Sequence, residues 1–466
     1  MHKKHLVILG IVLLVTGCAH YQDNSHFDNY VDKSGYRFEN VPAGDNTDNL
    51  SVILVFSGGG TRAAALSYGV LEKLRSAPIT CEGKEKKLVD EVDVISSVSG
   101  GSFTSAYYAL FGDKIFTDFK SDFLYRDVQG DLFKRLFNPY NWFRLMSFTF
   151  DRIDLAAEYY DENIFKHNTF SDLLKRGKRP YIILNASDMT LGDRFEFTQK
   201  QFDPICSDLS DYPIARAVAA SSAFPGLLSP ITITNYAGTC NNKEPFWVAN
   251  ALLDRDVTKR DFLDATHFKS YQDNKNRPYI HLLDGGISDN IGLRGPLQAL
   301  VTNHGPWGLL NMINLGKVKK VVFIVVNAKN EPDTTLDRKE SPPDLTRVLS
   351  TVVNAPMDNY SFDTIEQLRS TIMEWKKDDL AYAKCVGIIN DKCPGASLPP
   401  PPAPVDFYPV VISFDSLTDA GERTFFKNLP TSFTLPAADV DRLIEVGGRL
   451  LNESEEYKRL LRDLHS

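Results

Sequence analysis

The chain has 466 residues, 43% hydrophobic and 24% charged, and its 52 Lys and Arg against 60 Asp and Glu give a net charge of −8. That balance excludes a mostly disordered chain, a collagen-like repeat and a polytopic membrane protein. It also argues against general nucleic-acid binding, which needs a basic face for phosphate. Six cysteines are too few for a disulfide scaffold at this length.

The N-terminus carries a basic pair, Lys3 and Lys4, and then an apolar run from Leu6 to Val15. The run is shorter than the roughly 20 residues of a spanning helix. Val15-Thr16-Gly17-Cys18 follows, with two small residues before a cysteine. This resembles a bacterial lipobox, which implies a signal peptide over residues 1–17 and acylation of Cys18. A secretion signal cut elsewhere, or an uncleaved anchor, are the alternatives. Loss of Lys3 and Lys4 takes the charge from −8 to −10, so the acyl chains, not charge, are expected to attach the protein to a membrane surface. Ala19 rather than Asp at the next position implies, by the same resemblance, a lipid-anchored protein of the bacterial envelope at the outer membrane. Residues 18–48 are polar and read as a tether.

From residue 49 to residue 466, apolar runs alternate with helical stretches. Ser51–Phe56, Val92–Ser97, Pro180–Ala186, Arg277–Leu283, Lys319–Val326 and Tyr408–Phe414 read as strands. Thr61–Arg75, Ser102–Phe111 and Asp439–Leu451 read as helices. The alternation predicts an α/β fold, a mostly parallel central sheet wrapped by helices. Two insertions interrupt it. Residues 113–162 are rich in aromatics and form a candidate lid or interfacial segment, the alternative being an ordinary core helix pair. Residues 328–405 are polar, mostly helical and end in a proline run. Length alone, at roughly 150 residues per domain, allows about three domains, yet the elements run on as one body.

Three constellations carry chemistry. Ser57-Gly58-Gly59-Gly60-Thr61-Arg62 joins a strand to a helix start, where backbone N–H groups can converge on an anion. No Gly-Lys-Ser/Thr follows, so it is not a P-loop. Ser97-Val98-Ser99-Gly100-Gly101-Ser102 resembles the Gly-x-Ser-x-Gly nucleophile elbow, with Ser97 in place of the first glycine and Ser99 central. Asp284-Gly285-Gly286 ends an apolar strand, and in an open α/β sheet functional groups gather at the carboxyl ends of strands.

A serine hydroxyl needs a base. Of the histidines in the body, His167, His267, His304 and His465 have no suggestive setting. His281, three residues before Asp284 on a strand, points to the opposite face. A Ser99–Asp284 dyad with the carboxylate as base is the economical solution.

The Gly-Gly-Gly-x-Arg block, the serine elbow and Asp-Gly-Gly, in this order, together resemble the patatin-like phospholipase family. A fourth stretch, Ala215–Pro230 (ARAVAASSAFPGLLSP), is similar to a further block of that family. The resemblance implies a patatin-like three-layer α/β/α fold. It implies Ser99 as nucleophile, Asp284 as base, and an oxyanion hole from Gly58, Gly59, Gly60 and Thr61. Arg62 would brace the loop or help with lipid phosphate, and Gly101, Gly285 and Gly286 would support the turns. It implies acyl-ester hydrolysis of phospholipid or lysophospholipid with no cofactor and no metal. A catalytically silent lipid- or partner-binding protein, and an acyltransferase or thioesterase using the same dyad, are the competing functions. Cys206–Cys240 and Cys385–Cys393 are possible disulfides in an oxidising compartment.

Overall fold

The computed structural model describes residues 19–302, 308–331, 337–338, 340–393 and 404–465. The signal segment, Cys18, His304 and most of the proline run lie outside them.

In chain order the elements are β1 (Leu50–Phe56), α1 (Gly60–Arg75), β2 (Val92–Val98), α2 (Gly100–Phe111), α3 (Val128–Leu136), α4 (Pro139–Leu145), α5 (Arg152–Tyr160), β3 (Tyr181–Asp188), β4 (Arg194–Glu196), α6 (Ile214–Ser221), β5 (Ile231–Thr234), β6 (Tyr279–Asp284), β7 (Lys320–Asn327), α7 (Leu345–Lys392), β8 (Asp406–Ser413) and α8 (Ala437–Glu453), with shorter pieces between them. The main sheet has the order β8-β7-β1-β2-β3-β6-β5, with β4 beside β3. From β8 to β3 every pairing is parallel; β6 runs antiparallel to both β3 and β5. The α/β expectation holds. Every residue of β1, β2 and β3 is buried, which is why their sequences are near-continuous apolar runs. β4 and β5, of three and four residues, were too short to stand out by composition.

α8 belongs to this body. It packs on α1 so closely that a Cβ on Gly69 would lie 2.1 Å from the Ile444 carbonyl oxygen. Its buried face is Val440, Leu443, Ile444, Val446, Gly447, Leu450 and Leu451, a helical stripe.

Polarity predicts a tether before residue 49, and here the structure differs. Residues 19–48 are folded against the body. Ser25–His26 pairs with Ser207–Asp208 as a two-residue strand. Tyr36 is fully buried, its hydroxyl donating to the Ile182 carbonyl at 3.1 Å and accepting from the Ile182 amide at 2.8 Å. Arg37 clasps Asp203 at 2.8 Å. The polar residues of this stretch hydrogen-bond to the body, a use that composition cannot separate from solvation. Cys206 and Cys240 form a disulfide, while Cys81, Cys385 and Cys393 are free, so the Cys385–Cys393 alternative is not realised.

Candidate active site

Ser99 sits between the last residue of β2 and the first of α2, with φ 50° and ψ −119°. A non-glycine residue there is strained and persists only where its surroundings hold it. Several groups do so. The Ser99 amide donates to Ser221 Oγ at 2.9 Å, and that hydroxyl donates to the Asn185 carbonyl at 2.7 Å. Ser102 Oγ lies 2.9 Å from Ser221 Oγ. Ser97, the departure from the elbow pattern, uses its hydroxyl: its Oγ is 2.6 Å from Ser105 Oγ and accepts from Ser102 at 3.2 Å. A serine therefore fits where the pattern has glycine, because a buried hydroxyl network receives it. After Ser99 only glycine fits: a Cβ on Gly100 would lie 2.0 Å from the Gly60 carbonyl oxygen, and one on Gly101 would lie 2.7 Å from the Ser57 carbonyl oxygen.

Asp284 ends β6. The route by which it reaches Ser99 differs from the sequence argument. β6 is antiparallel, so its carboxyl end points the opposite way from those of β1 and β2. It meets Ser99 through register. Asp284 pairs with Ala186, and the neighbouring Asn185 pairs with Val98, the residue before Ser99. Ser99 and Asp284 are therefore about two strand spacings apart, roughly 10 Å between backbones, and their side chains close the gap. The Ser99 hydroxyl faces the Asp284 carboxylate and acts to lower its pKa. The Gly286 amide donates to Asp284 Oδ1 at 2.8 Å, and the Asp284 amide donates to the Ala223 carbonyl at 3.0 Å. The Gly285 amide donates to the Ser221 carbonyl at 3.1 Å, so α6 ties serine and aspartate to one support. Burial raises the Asp284 pKa from 3.8 to about 6, against the Gly286 amide and the Ser99 hydroxyl, which lower it.

The glycine block lies alongside. A Cβ on Gly58 would be 3.3 Å from Ser99 Cβ. Of the four expected oxyanion donors, two have other partners: the Gly58 amide donates to the Asn290 carbonyl at 2.9 Å and the Thr61 amide to the Ser432 carbonyl at 2.8 Å. Gly59 and Gly60 make no such bond among the described residues. They lie where the N-termini of α1 and α2 converge, and both helix dipoles favour a negative charge there. Arg62 is 2% exposed. Its guanidinium donates to the Ala328 carbonyl and to Thr431 Oγ1, both at 3.0 Å, and also to the Leu429 carbonyl. Burial lowers its pKa to about 10. Those partners make it a brace between the glycine loop and the C-terminal segments, in place of a phosphate contact.

The histidines have other partners. His167 pairs with Asp161, His267 with Asp193, and His281 with Thr232.

Four supporting residues have no role assigned from sequence: Asn185, Asn290, Met357, and Ser221 within the Ala215–Pro230 block. Asn185 and Ser221 had a signal, as polar residues inside an apolar strand and an alanine-rich helix. Met357 had none. It comes from α7, in the polar insertion, whose inner stripe is Met357, Ser361, Thr364, Leu368 and Ile372. Met357 Cε lies 2.4 Å from where a Cβ on Gly286 would be, so the insertion lies over the aspartate turn. A cavity of about 720 Å³ lies elsewhere, between Arg37, Arg194, Glu196 and His267, and neither Ser99 nor Asp284 lines it.

A mostly parallel sheet with a serine on a strained strand–helix turn, a buried carboxylate against it and a glycine loop beside it defines a serine-elbow α/β protein. The sequence profile of the patatin-like phospholipase family matches residues 54–297, more than half of the chain, and the chain belongs to that family. No curated protein matches the sequence. Among solved structures, human GIVD cytosolic phospholipase A2 is similar at 12% identity and a TM-score of 0.34, with 91% of this chain and 60% of that one covered. The same human protein in complex with methyl gamma-linolenyl fluorophosphonate and terbium chloride gives 14% and 0.38, with 91% and 59% covered. VipD from Legionella pneumophila gives 11% and 0.32, with 90% and 67% covered. The chain thus spans about three fifths of the length of the human protein.

Proposed function

We propose that this chain is a membrane-anchored serine acyl hydrolase that cleaves acyl esters of phospholipid or lysophospholipid through an acyl-enzyme. The observation that carries the reading is the Ser99 hydroxyl, on a backbone at φ 50°, facing the buried Asp284 carboxylate across paired strands. Ser99 Oγ attacks the ester carbonyl carbon while its proton passes to Asp284. The negative charge that develops on the carbonyl oxygen faces the amides of Gly59 and Gly60. Collapse breaks the ester C–O bond, and the departing alkoxide takes the proton from Asp284. Water, deprotonated by the same carboxylate, then attacks the acyl-serine and releases the fatty acid. A base pKa near 6 suits this duty, since the carboxylate is free at neutral pH yet more basic than an ordinary aspartate.

Attachment is proposed through acylated Cys18, in the bacterial envelope at the outer membrane. Among the described residues no helix is long and apolar enough to cross a membrane.

The test is labelling with a fluorophosphonate ester probe, which phosphonylates an activated serine. Labelling of the wild type that is lost in Ser99→Ala supports the acyl-enzyme. A folded wild type that does not label refutes it and favours a silent lipid-binding protein.

A further inference from the structure

The aromatic stretch divides in two in the structure. Phe150 is buried, whereas Phe137, Tyr140, Trp142, Phe143 and Met146 are 46–70% exposed and Phe148 is wholly exposed. Six large exposed apolar side chains within twelve residues mark an interaction surface. The α3–α4 hairpin that carries it is internally braced. Asn141 Nδ2 donates to the Arg135 carbonyl at 2.8 Å, and Trp142 Nε1 donates to the Leu136 carbonyl at 3.0 Å. The indole N–H is therefore satisfied without water, and the ring can leave water with no hydrogen bond lost. The cations between the rings are also paired: Lys134 with Asp131 at 2.8 Å, Arg135 with Glu162, and Arg144 with Glu158.

The N-terminal segment lands on the residues that follow this hairpin, beside Phe148. The Ala19 carbonyl accepts from Ser147 Oγ at 2.6 Å and from Thr149 Oγ1 at 3.3 Å, and the Tyr21 amide donates to the Thr149 carbonyl at 2.7 Å. The described chain begins at Ala19, the residue that follows Cys18 in the sequence. Tyr21, Phe148 and Met189 line a common cavity of about 340 Å³. Close by, Arg152 donates to the Gly226 carbonyl at 3.4 Å, beside the 58%-exposed Leu227. Leu227 is four residues beyond Ala223, which holds the Asp284 amide.

We propose that this hairpin is the face by which the body seats on a phospholipid bilayer, its rings and the Cys18 acyl chains entering one leaflet. The body is then held in a fixed orientation and is not suspended on a leash. The proposal rests on the lipid-substrate and acylation readings above. A bilayer is the occupant that fits, because the described chain begins at Ala19, beside these rings and one residue after the Cys18 proposed to be acylated, and the cations between the rings are paired. Seating of this kind scales with apolar area and is insensitive to salt.

The experiment uses the full chain, purified from membranes and reconstituted in phosphatidylcholine vesicles with brominated acyl chains, which quench tryptophans in the hydrocarbon region. The expected result is quenching of a component of the emission that is absent in Trp142→Phe and unchanged by salt. A combined Phe137→Ser, Phe143→Ser and Phe148→Ser variant, shown to be folded by its thermal melt, should lose that quenching while its anchor keeps it on the vesicles. Equal quenching in wild type and Trp142→Phe overturns the proposal. So does an oligomer in detergent that the triple variant converts to monomer, which would make the face an interface between copies. Turnover of a soluble short-chain ester is followed on the same preparations. A wild type that is quenched but turns over no ester faults the Ser99–Asp284 reading, and a wild type that turns over the ester without quenching faults the seating alone.

Discussion

Asp284→Asn is expected to stabilise the protein while it cuts turnover sharply. Asp284 is 3% exposed, and burial raises its pKa from 3.8 to about 6. Between about pH 4 and pH 6 the native chain holds a proton that the unfolded chain has released. Raising the pH through that window therefore costs stability, and above about pH 6 the full penalty of a buried carboxylate is present. A shift of about two units at 1.36 kcal/mol each sets a ceiling of about 3 kcal/mol. Asparagine removes the charge but keeps an oxygen for the Gly286 amide and offers a nitrogen to Ser99 Oγ. The variant should thus be more stable than wild type by about 1–3 kcal/mol at pH 7.5, and the gap should close towards pH 4. Urea unfolding of both proteins at pH 7.5, 6 and 4.5 measures it. Ester turnover of the variant should fall by about 10² to 10⁴, the usual contribution of a general base. Wild-type turnover should rise with pH and reach half its plateau near pH 6. A variant less stable than wild type at pH 7.5, or a gap that does not change with pH, would refute the buried-carboxylate argument.

Three further substitutions probe the frame. Ser99→Gly relieves a backbone at φ 50°, so its urea midpoint should rise by the equivalent of about 1–3 kcal/mol while fluorophosphonate labelling disappears. Ser221→Ala leaves the buried Ser99 amide and Asn185 carbonyl without their partner. It should cost about 1–3 kcal/mol in urea unfolding, and turnover should fall in kcat more than in KM for a short ester. Gly100→Ala drives a methyl to 2.0 Å from the Gly60 carbonyl oxygen. The two helix starts must part, so both the unfolding midpoint and kcat should drop; a variant with unchanged kcat would show that the closeness of the loops has no part in turnover.

Much of the fold was legible because its signals are local. The buried parallel strands are apolar runs, and the turns after β1 and β2 carry glycines where two loops touch. The serine elbow was recognisable despite Ser97, since strand, small residues and helix start are contiguous in sequence. What failed depends on partners far along the chain. The polar stretch before residue 49 looks like a tether until Ser25–His26 meets Ser207–Asp208 and Tyr36 meets Ile182. Met357 carries no mark of function, since its role comes only from the path of α7 over the Asp284 turn.

The sequence by itself determined the α/β class, the order of the chemical blocks and the residue types that a serine–carboxylate pair requires. Periodicity, glycine placement and side-chain chemistry are properties of neighbouring residues, so they can be read in one dimension. Only the tertiary structure decided which amides of the glycine loop have backbone partners among the described residues, that Arg62 is a brace, and that an antiparallel β6 presents Asp284 to Ser99. Each of these turns on the register and packing of segments far apart in the chain, as in the bond from the Gly58 amide to the Asn290 carbonyl. No local pattern encodes such register, because it is set by the burial of whole strands against one another.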